Sequence, residues 1–449
     1  TTTMNYSISK HFSRKDIFLF TIPSILTMLF TSLYTIVDGI FVSRFVGSDA
    51  LSSVNIVLPA INLITGIGIM MGTGGSAVIG KKLGEQKTHE ARQSFTFLIA
   101  VTSFSGVICS AAVVLAARPL AEFLGASPQL MEYCVSYLRM YAMFFLASIL
   151  QILFQMLLVT AGQPNAALVL TVIAGLSNIL LDYIFMVPLQ MGITGAALGT
   201  GISCLIGSIP PCLYFLKKHG ILHFTRFHFE KKTLFQSMSN GSSEMVSSVA
   251  SGIIVFLFNQ AMMQIAGEQG VAAMSIVMYT QFLFAALHLG FSTGIAPVFS
   301  YHYGDGNRQE VKSLFLKCLS MVLIGTIVVV GAAFILAETV VGIFAGSSRE
   351  LYEMSLHGYR IFIWNFLFSG FNVFASSLFT ALSNGLISAA ISFLRTFAAQ
   401  VAAILILPLF LGIDGLWLAV PAAELLSSLF SLYCIIKYFA AVYLFKSGR

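Results

Sequence analysis

The stretch GGSAVIGKKLGEQ (74–86) has a counterpart later in the chain, GIAPVFSYHYGDG (294–306). Three further windows hold nearly the same offset. FVGSDALSSVNIV (45–57) lies over IAGEQGVAAMSIV (265–277), and FLGASPQLMEY (123–133) over FAGSSRELYEM (344–354). MGITGAALGTGIS (191–203) lies over LGIDGLWLAVPAA (411–423). Four windows at a shift of about 220 residues mark an internal duplication, which governs any reading of the fold.

Composition says in which solvent the two halves fold. Hydrophobic residues make up 57% of the 449 and charged residues 9%, where a soluble domain carries ~25% charge. The chain therefore reads as a polytopic membrane protein. Apolar runs long enough to cross a bilayer, ~20 residues each, fit about twelve times. They are placed at 17–43, 54–80, 94–117, 130–160, 166–187, 194–216, 236–265, 271–301, 314–340, 352–381, 387–410 and 415–443. Pro23 and Pro297 are candidate kinks within them. MNYSISKHFSRKD (4–16) is basic and polar, and the apolar run after it is too long for a signal-peptide core, so no cleavable leader is expected. The six cysteines fall in or beside apolar runs and read as packing residues, with no zinc or disulfide framework.

Positive charge selects a side. Lys10, Arg14 and Lys15 precede the first span, and Lys81, Lys82, Lys87 and Arg92 follow the second. Lys217, Lys218, Arg226, Lys231 and Lys232 follow the sixth, Arg308, Lys312 and Lys317 the eighth, and Lys446 and Arg449 the last. The alternate loops hold only Arg44, Arg118 and Arg349 among several acids. Both termini are thus expected in the cytoplasm. These loops also account for the net charge of +6, so no nucleic-acid partner is implied. The expected fold is an all-α membrane protein of two six-helix lobes related by a pseudo-two-fold axis along the membrane normal. Its parts are a cytoplasmic amino-terminal segment (1–16), a first lobe (17–216), a cytoplasmic linker (217–235), a second lobe (236–443) and a cytoplasmic tail (444–449). Two like-oriented bundles about a shared cavity suit alternating access.

Acids inside apolar helices are the candidate functional groups, because charge in lipid is costly. Four are found: Asp38, Asp182, Glu244 and Glu424. Tyr34 stands one turn before Asp38, and Asn178 one turn before Asp182, each on the same helical face. If these faces meet, two carboxylates, an amide and a phenol can hold a cation or share a proton. The alternative is that the acids brace helices by hydrogen bonding. Glu244 suits either function or a hydrated helix entrance. Glu424 suits either a cationic substrate or a pairing with Arg395. His288 reads as a titratable group or a satisfied core histidine. Gln281, Asn365 and Asn372 read as cavity residues or as glue between helices. Met156, with Phe145, Phe154 and Tyr141, is a candidate for a pliable cavity wall.

The run LYTIVDGIFVSRFVG (33–47), then TAGQPNAALVLTVIAGLSNILLDYIF (160–185), then MGITGAALGTGIS (191–203), resembles the multidrug and toxic compound extrusion (MATE) family. The likeness spans nearly the whole chain, and an acid in the first helix resembles the DinF-like branch. The resemblance implies a monomeric secondary antiporter of a prokaryotic inner membrane, exporting lipophilic, cationic organic compounds in exchange for H+ or Na+. It implies a first-lobe cation or proton site on Tyr34, Asp38, Asn178, Asp182 and Thr200, with Asp38, Asn178, Asp182 and Thr200 as Na+ ligands if sodium is the coupling ion. It implies that the first helix bends at Pro23 when site occupancy changes. A substrate cavity would draw on Glu244, Glu424, Arg395, Gln281, His288 and Met156.

No phosphate-binding loop, nucleophile elbow or HExxH motif is present, so no enzymatic activity and no cofactor beyond the coupling ion is expected. Two rivals stand beside this reading. A lipid-linked oligosaccharide flippase of the same superfamily would want a basic cavity. A non-transporting membrane enzyme or receptor would want a catalytic or ligand constellation.

Overall fold

A computed structural model describes residues 8–217, 220–345 and 348–444. Lys218 and the tail with Lys446 and Arg449 lie outside the described residues. Among the described residues every regular element is a helix. The first half holds α1 (Arg14–Phe41), α2 (Ser48–Gly84), α3 (Thr88–Phe123), α4 (Met131–Ala142), α5 (Phe145–Thr160), α6 (Pro164–Met186) and α7 (Gly192–Leu216). The second holds α8 (Lys231–Gly304), α9 (Arg308–Ile335), α10 (Ala337–Ala345), α11 (Arg349–Phe362), α12 (Phe366–Ala381), α13 (Gly385–Phe393), α14 (Ala399–Leu411) and α15 (Ile413–Cys434).

Ten of the described helical stretches are long and apolar enough to span a membrane, or eleven with the pair α4–α5 taken as one. The 74 residues of α8 would run ~110 Å as a straight helix, far beyond a bilayer of ~30 Å. They do not run straight. Gly267 leaves the helical region at φ 64° and ψ −155°, a conformation that only glycine adopts freely. Both ends of α8 also return to one end of α2. Glu230, before its start, accepts from Lys82 Nζ at 2.9 Å, and Tyr301, near its finish, packs against Gly84. Thus α8 is a hairpin of two spans, and the total reaches twelve.

The duplication is written into the turns. Positive φ recurs at a shift of 220 residues in Gly47 and Gly267, Gln86 and Gly306, and Gly192 and Gly412. The two fourth spans of the halves are also both broken. A 56° bend separates α4 from α5 at residues 143–144, and a 3-10 turn at Ile363–Asn365 separates α11 from α12. Neither break carries Pro or Gly, and the sequence reading of 130–160 as one helix missed the first. Pro23 and Pro297 lie within continuous helical stretches.

Three hydrophobic cores show how the halves meet. One joins Leu83, Phe95 and Leu157 of the first half to Phe299, Val311 and Phe374 of the second. It lies at the end that carries the α2–α3 and α8–α9 turns, the basic end. The other two do not mix. One contains only first-half residues, among them Val57, Tyr137 and Ala196. The other contains only second-half residues, among them Phe258, Tyr359 and Trp417. The halves are therefore sealed at the basic end and have separate cores at the other.

The seal is tight enough to require glycine. A Cβ on Gly84 would stand 1.9 Å from the Tyr301 carbonyl oxygen, and one on Gly304 would stand 2.0 Å from that of Lys81. These two glycines are repeat mates, so the contact is reciprocal about the pseudo-axis. Polar ties reinforce it. Lys82 Nζ donates to Glu230, just before α8, at 2.9 Å. The segment before α1 is bound to the second half, with Phe12 N donating to Glu310 at 3.1 Å and Lys317 Nζ to the Phe12 carbonyl at 2.6 Å.

Candidate functional site

In the first half, α1, α4, α6 and α7 enclose a polar cluster. Asp182 on α6 is fully buried. Neither of its carboxyl oxygens has a hydrogen-bond donor among the described residues, nor does Oδ1 of Asp38 on α1. The two carboxyl groups lie within hydrogen-bonding range of each other. Oxygen atoms buried without a donor are expensive, and facing carboxyl groups lack any hydrogen-bond donor unless one is protonated. The arrangement therefore has room for one positive charge: a shared proton, or a cation held by oxygens.

Neighbouring helices come close enough to make that space. Gly175 on α6 packs against the Phe30 and Tyr34 rings of α1. Gly199 on α7 lies under the Asp182 carboxylate, and a Cβ there would sit 2.2 Å from Oδ1. Tyr34 stands beside Asp38. Asn178, also buried, donates from Nδ2 to Thr200 Oγ1 at 3.4 Å rather than to Asp38. Thr200 in turn donates to the Ala196 carbonyl at 3.0 Å. All five expected residues thus gather in one region. Among the described residues no group of three or more His, Cys, Asp or Glu comes together, so a sodium ion would depend on neutral ligands such as Thr200 and Asn178.

Two residues that the sequence reading did not single out belong to the cluster. Tyr137 on α4 lies within electrostatic reach of both acids, and Gly199 sets the clearance of Asp182. The signal for Gly199 was available in AALGTGIS, directly before Thr200. Tyr137 gave none, because an aromatic residue in a span is ordinary.

The second half holds the other intramembrane charges. Glu424 on α15 pairs with Arg395 at 3.4 Å. Its second oxygen accepts from Asn372 Nδ2 on α12 at 2.7 Å, and Ser431 donates to Asn372 Oδ1 at 2.9 Å. Asn365 instead donates to the Phe362 carbonyl at 2.6 Å, at the α11–α12 break. His288 is buried, yet neither ring nitrogen has a partner among the described residues. It lies against Gly370. Gln281 Oε1 is likewise without a partner. Between the halves, Glu244 and Met156 line one small cavity of about 30 Å³ with Thr73, Ser76, Ser377 and Thr380. Glu424, Arg395, Gln281 and His288 lie outside its wall.

Comparison with known proteins agrees with this geometry. The MatE family model matches twice, over residues 23–184 and 244–406, so each half is recognised separately at the shift seen in the turns. The multidrug export protein MepA of Staphylococcus saprophyticus subsp. saprophyticus is 23% identical over 390 residues, covering 85% of this chain and 84% of that protein. An outward-facing multidrug resistance MATE family transporter of the MOP superfamily superposes with a TM-score of 0.90 at 22% identity, covering 96% of this chain and 97% of that one. A MOP superfamily transporter from Pyrococcus furiosus, described by a binding pocket of reverse polarity, gives 0.90 at 22% identity over 98% and 99%.

Proposed function

The chain belongs to the MatE family, and we propose that Asp38 and Asp182 couple its transport to a cation gradient. It is a multidrug efflux transporter, a multi-pass membrane protein that moves small organic compounds. The observation that carries the coupling role is the facing pair of carboxyl groups, with Asp182 fully buried and both its oxygens without a donor among the described residues. Such a pair is stable only when it holds a positive charge that can be exchanged.

The basic loops favour a cytoplasmic position for the sealed end and for both termini. The conformation is then outward-facing. A proton or sodium ion from outside enters between Asp38 and Asp182 and neutralises the pair. Neutralisation removes the repulsion between α1 and α6 and changes the path of α1. Pro23 is where α1 can bend, since it lacks the N–H that would bond the carbonyl four residues earlier. Substrate leaves to the outside, the emptied protein rocks inward, and the ion is released to the cytoplasm. The same oxygens serve proton and sodium, so the identity of the ion is left to experiment. The lipid-linked oligosaccharide flippase is less well supported, because the one charged side chain on the cavity wall is Glu244.

The test is efflux of a fluorescent organic cation from proteoliposomes under separately imposed pH and sodium gradients. Wild-type protein should respond to one of them. Asp38→Asn and Asp182→Asn should each lower gradient-driven efflux by on the order of 10²-fold, the scale of losing a required proton-transfer or charge group. Efflux at the wild-type rate in either variant would remove the pair from the mechanism.

A further inference from the structure

We propose that a pocket at the basic end of the second half binds a phosphate group through Arg308, His302 and Asn384. The pocket encloses about 410 Å³, against about 30 Å³ for the cavity between the halves. Small-molecule sites run ~300–1,000 Å³. Its wall includes His302, Tyr303, Arg308, Asn384, Tyr438 and Tyr443, and no residue of the first half lines it. The site is therefore separate from the cavity between the lobes, and the inference does not depend on the export reading.

The wall offers positive charge and unused donors. No Asp or Glu lines it. Arg308 opens α9, is exposed, and makes no hydrogen bond or ion pair among the described residues. His302 is only 2% exposed, yet neither ring nitrogen has a hydrogen-bond partner among the described residues. The backbone of Lys10 stands beside one side of that ring, which leaves the pocket side for a ligand. Asn384, just before α13, makes no capping bond with its side chain. Two lysines add charge at the rim. Lys81 Nζ stands 5.1 Å from the ring centre of Tyr303, and Lys437 Nζ 5.2 Å from that of Tyr438. Glu310, the acid nearest Arg308 on α9, is engaged elsewhere, accepting from Phe12 N at 3.1 Å and bonding His11. Asp305 is exposed on the turn and is not part of the wall.

These features point to one ligand chemistry. A buried imidazole N–H without an acceptor is costly, and a phosphate oxygen supplies the acceptor. A guanidinium matches two phosphate oxygens in its plane, and an amide N–H can reach a third. The first half treats its arginine differently. On α3, Arg92 Nε donates to the Ile221 carbonyl at 2.8 Å, and Leu222 beside it is 1% exposed. The linker after α7 thus engages the arginine of α3, whereas Arg308 of α9 is left for a ligand. Basic pockets between spans at a cytoplasmic face accept anionic lipid head groups. A soluble phosphate presents the same oxygens, so the experiment separates the two sources.

Titration calorimetry of the full chain, delipidated in detergent, compares three probes: dioctanoyl phosphatidylglycerol, sodium phosphate, and dioctanoylglycerol, which lacks the phosphate. Wild-type protein should bind one phosphate-bearing probe at a single saturable site and should not bind dioctanoylglycerol there. Binding of the phospholipid alone would identify a lipid head group, and binding of sodium phosphate would identify the free anion. Arg308→Gln should weaken binding about tenfold, the scale of one charge-assisted contact, and Asn384→Ala should weaken it severalfold. Arg308 has no protein partner to lose, so its variant should keep the wild-type melting temperature. Lys232→Gln removes an exposed charge at the same end, outside the wall, and should leave affinity within about twofold. No saturable binding of either phosphate-bearing probe would overturn the proposal. So would equal affinity in wild type and Arg308→Gln, or a loss in Lys232→Gln as large as that in Arg308→Gln.

Discussion

Asp182 has two carboxyl oxygens and, among the described residues, no hydrogen bond to either, a costly arrangement unless a proton or cation completes it. The space it occupies depends on the hydrogen of Gly199. Gly199→Ala would push a methyl group to 2.2 Å from Oδ1, displacing the carboxyl group from Asp38. The overpacking should cost about 1–3 kcal/mol, read as a lower melting temperature in detergent, and gradient-driven efflux should fall with it. Full efflux at normal stability would mean that Asp182 need not stay where it is. The acids themselves are legible in the sequence, because one carboxylate in an apolar run stands out and Tyr34 and Asn178 sit one turn away. The direction of Asn178 toward Thr200 is not legible, since helical spacing fixes a face and not a bonding partner. Tyr137 is hidden for a related reason: rings are common in spans, and only the approach of α4 gives this one a role.

At the scale of elements, the contact of α2 with the second arm of α8 is the structural lock of this conformation. Gly84 and Gly304 each bring a Cα against an opposing carbonyl, so side chains there would hold the halves apart. Gly84→Ala should favour a state open at the basic end. The shift should reach tenfold or more in population, since ~1.4 kcal/mol suffices for that. A cysteine introduced at Ser300, 1% exposed and close against Gly80, reports it. In otherwise cysteine-free protein, Ser300→Cys should resist a water-soluble thiol reagent with Gly84 present and react in the Gly84→Ala background. Protection in both would mean that the seal does not depend on this approach. Apolar runs located the spans well, because a bilayer imposes length and hydrophobicity directly. Breaks without Pro or Gly, at residues 143–144 and at Ile363–Asn365, are set by packing and left no local mark. The hairpin turn at Gly267 was legible as the gap between the seventh and eighth runs.

For the whole molecule, the duplication is both the clearest sequence signal and the basis of the mechanism. Windows such as 74–86 and 294–306 foretold it, and the paired positive-φ turns and the two matches to the MatE family model bear it out. Two lobes sealed at one end and separately cored at the other can exchange their open end by rocking as rigid bodies. What the duplication does not foretell is the asymmetry of charge. Among the described residues, the first lobe gathers two acids without a basic partner, and the second gives its buried Glu424 an arginine. The central claim is that the charge state of Asp38 and Asp182 governs which end is open. Phe123 and Ile343 are exposed, 87% and 72%, on the two halves at the end opposite the seal. Spin labels on Phe123→Cys and Ile343→Cys, in cysteine-free protein in lipid nanodiscs, report the separation of the lobes there by double electron–electron resonance. In otherwise native protein, titration with protons or sodium should move the distance distribution between two populations. In the Asp38→Asn/Asp182→Asn background it should stay fixed in one, and a titration matching that of the native pair would contradict the account.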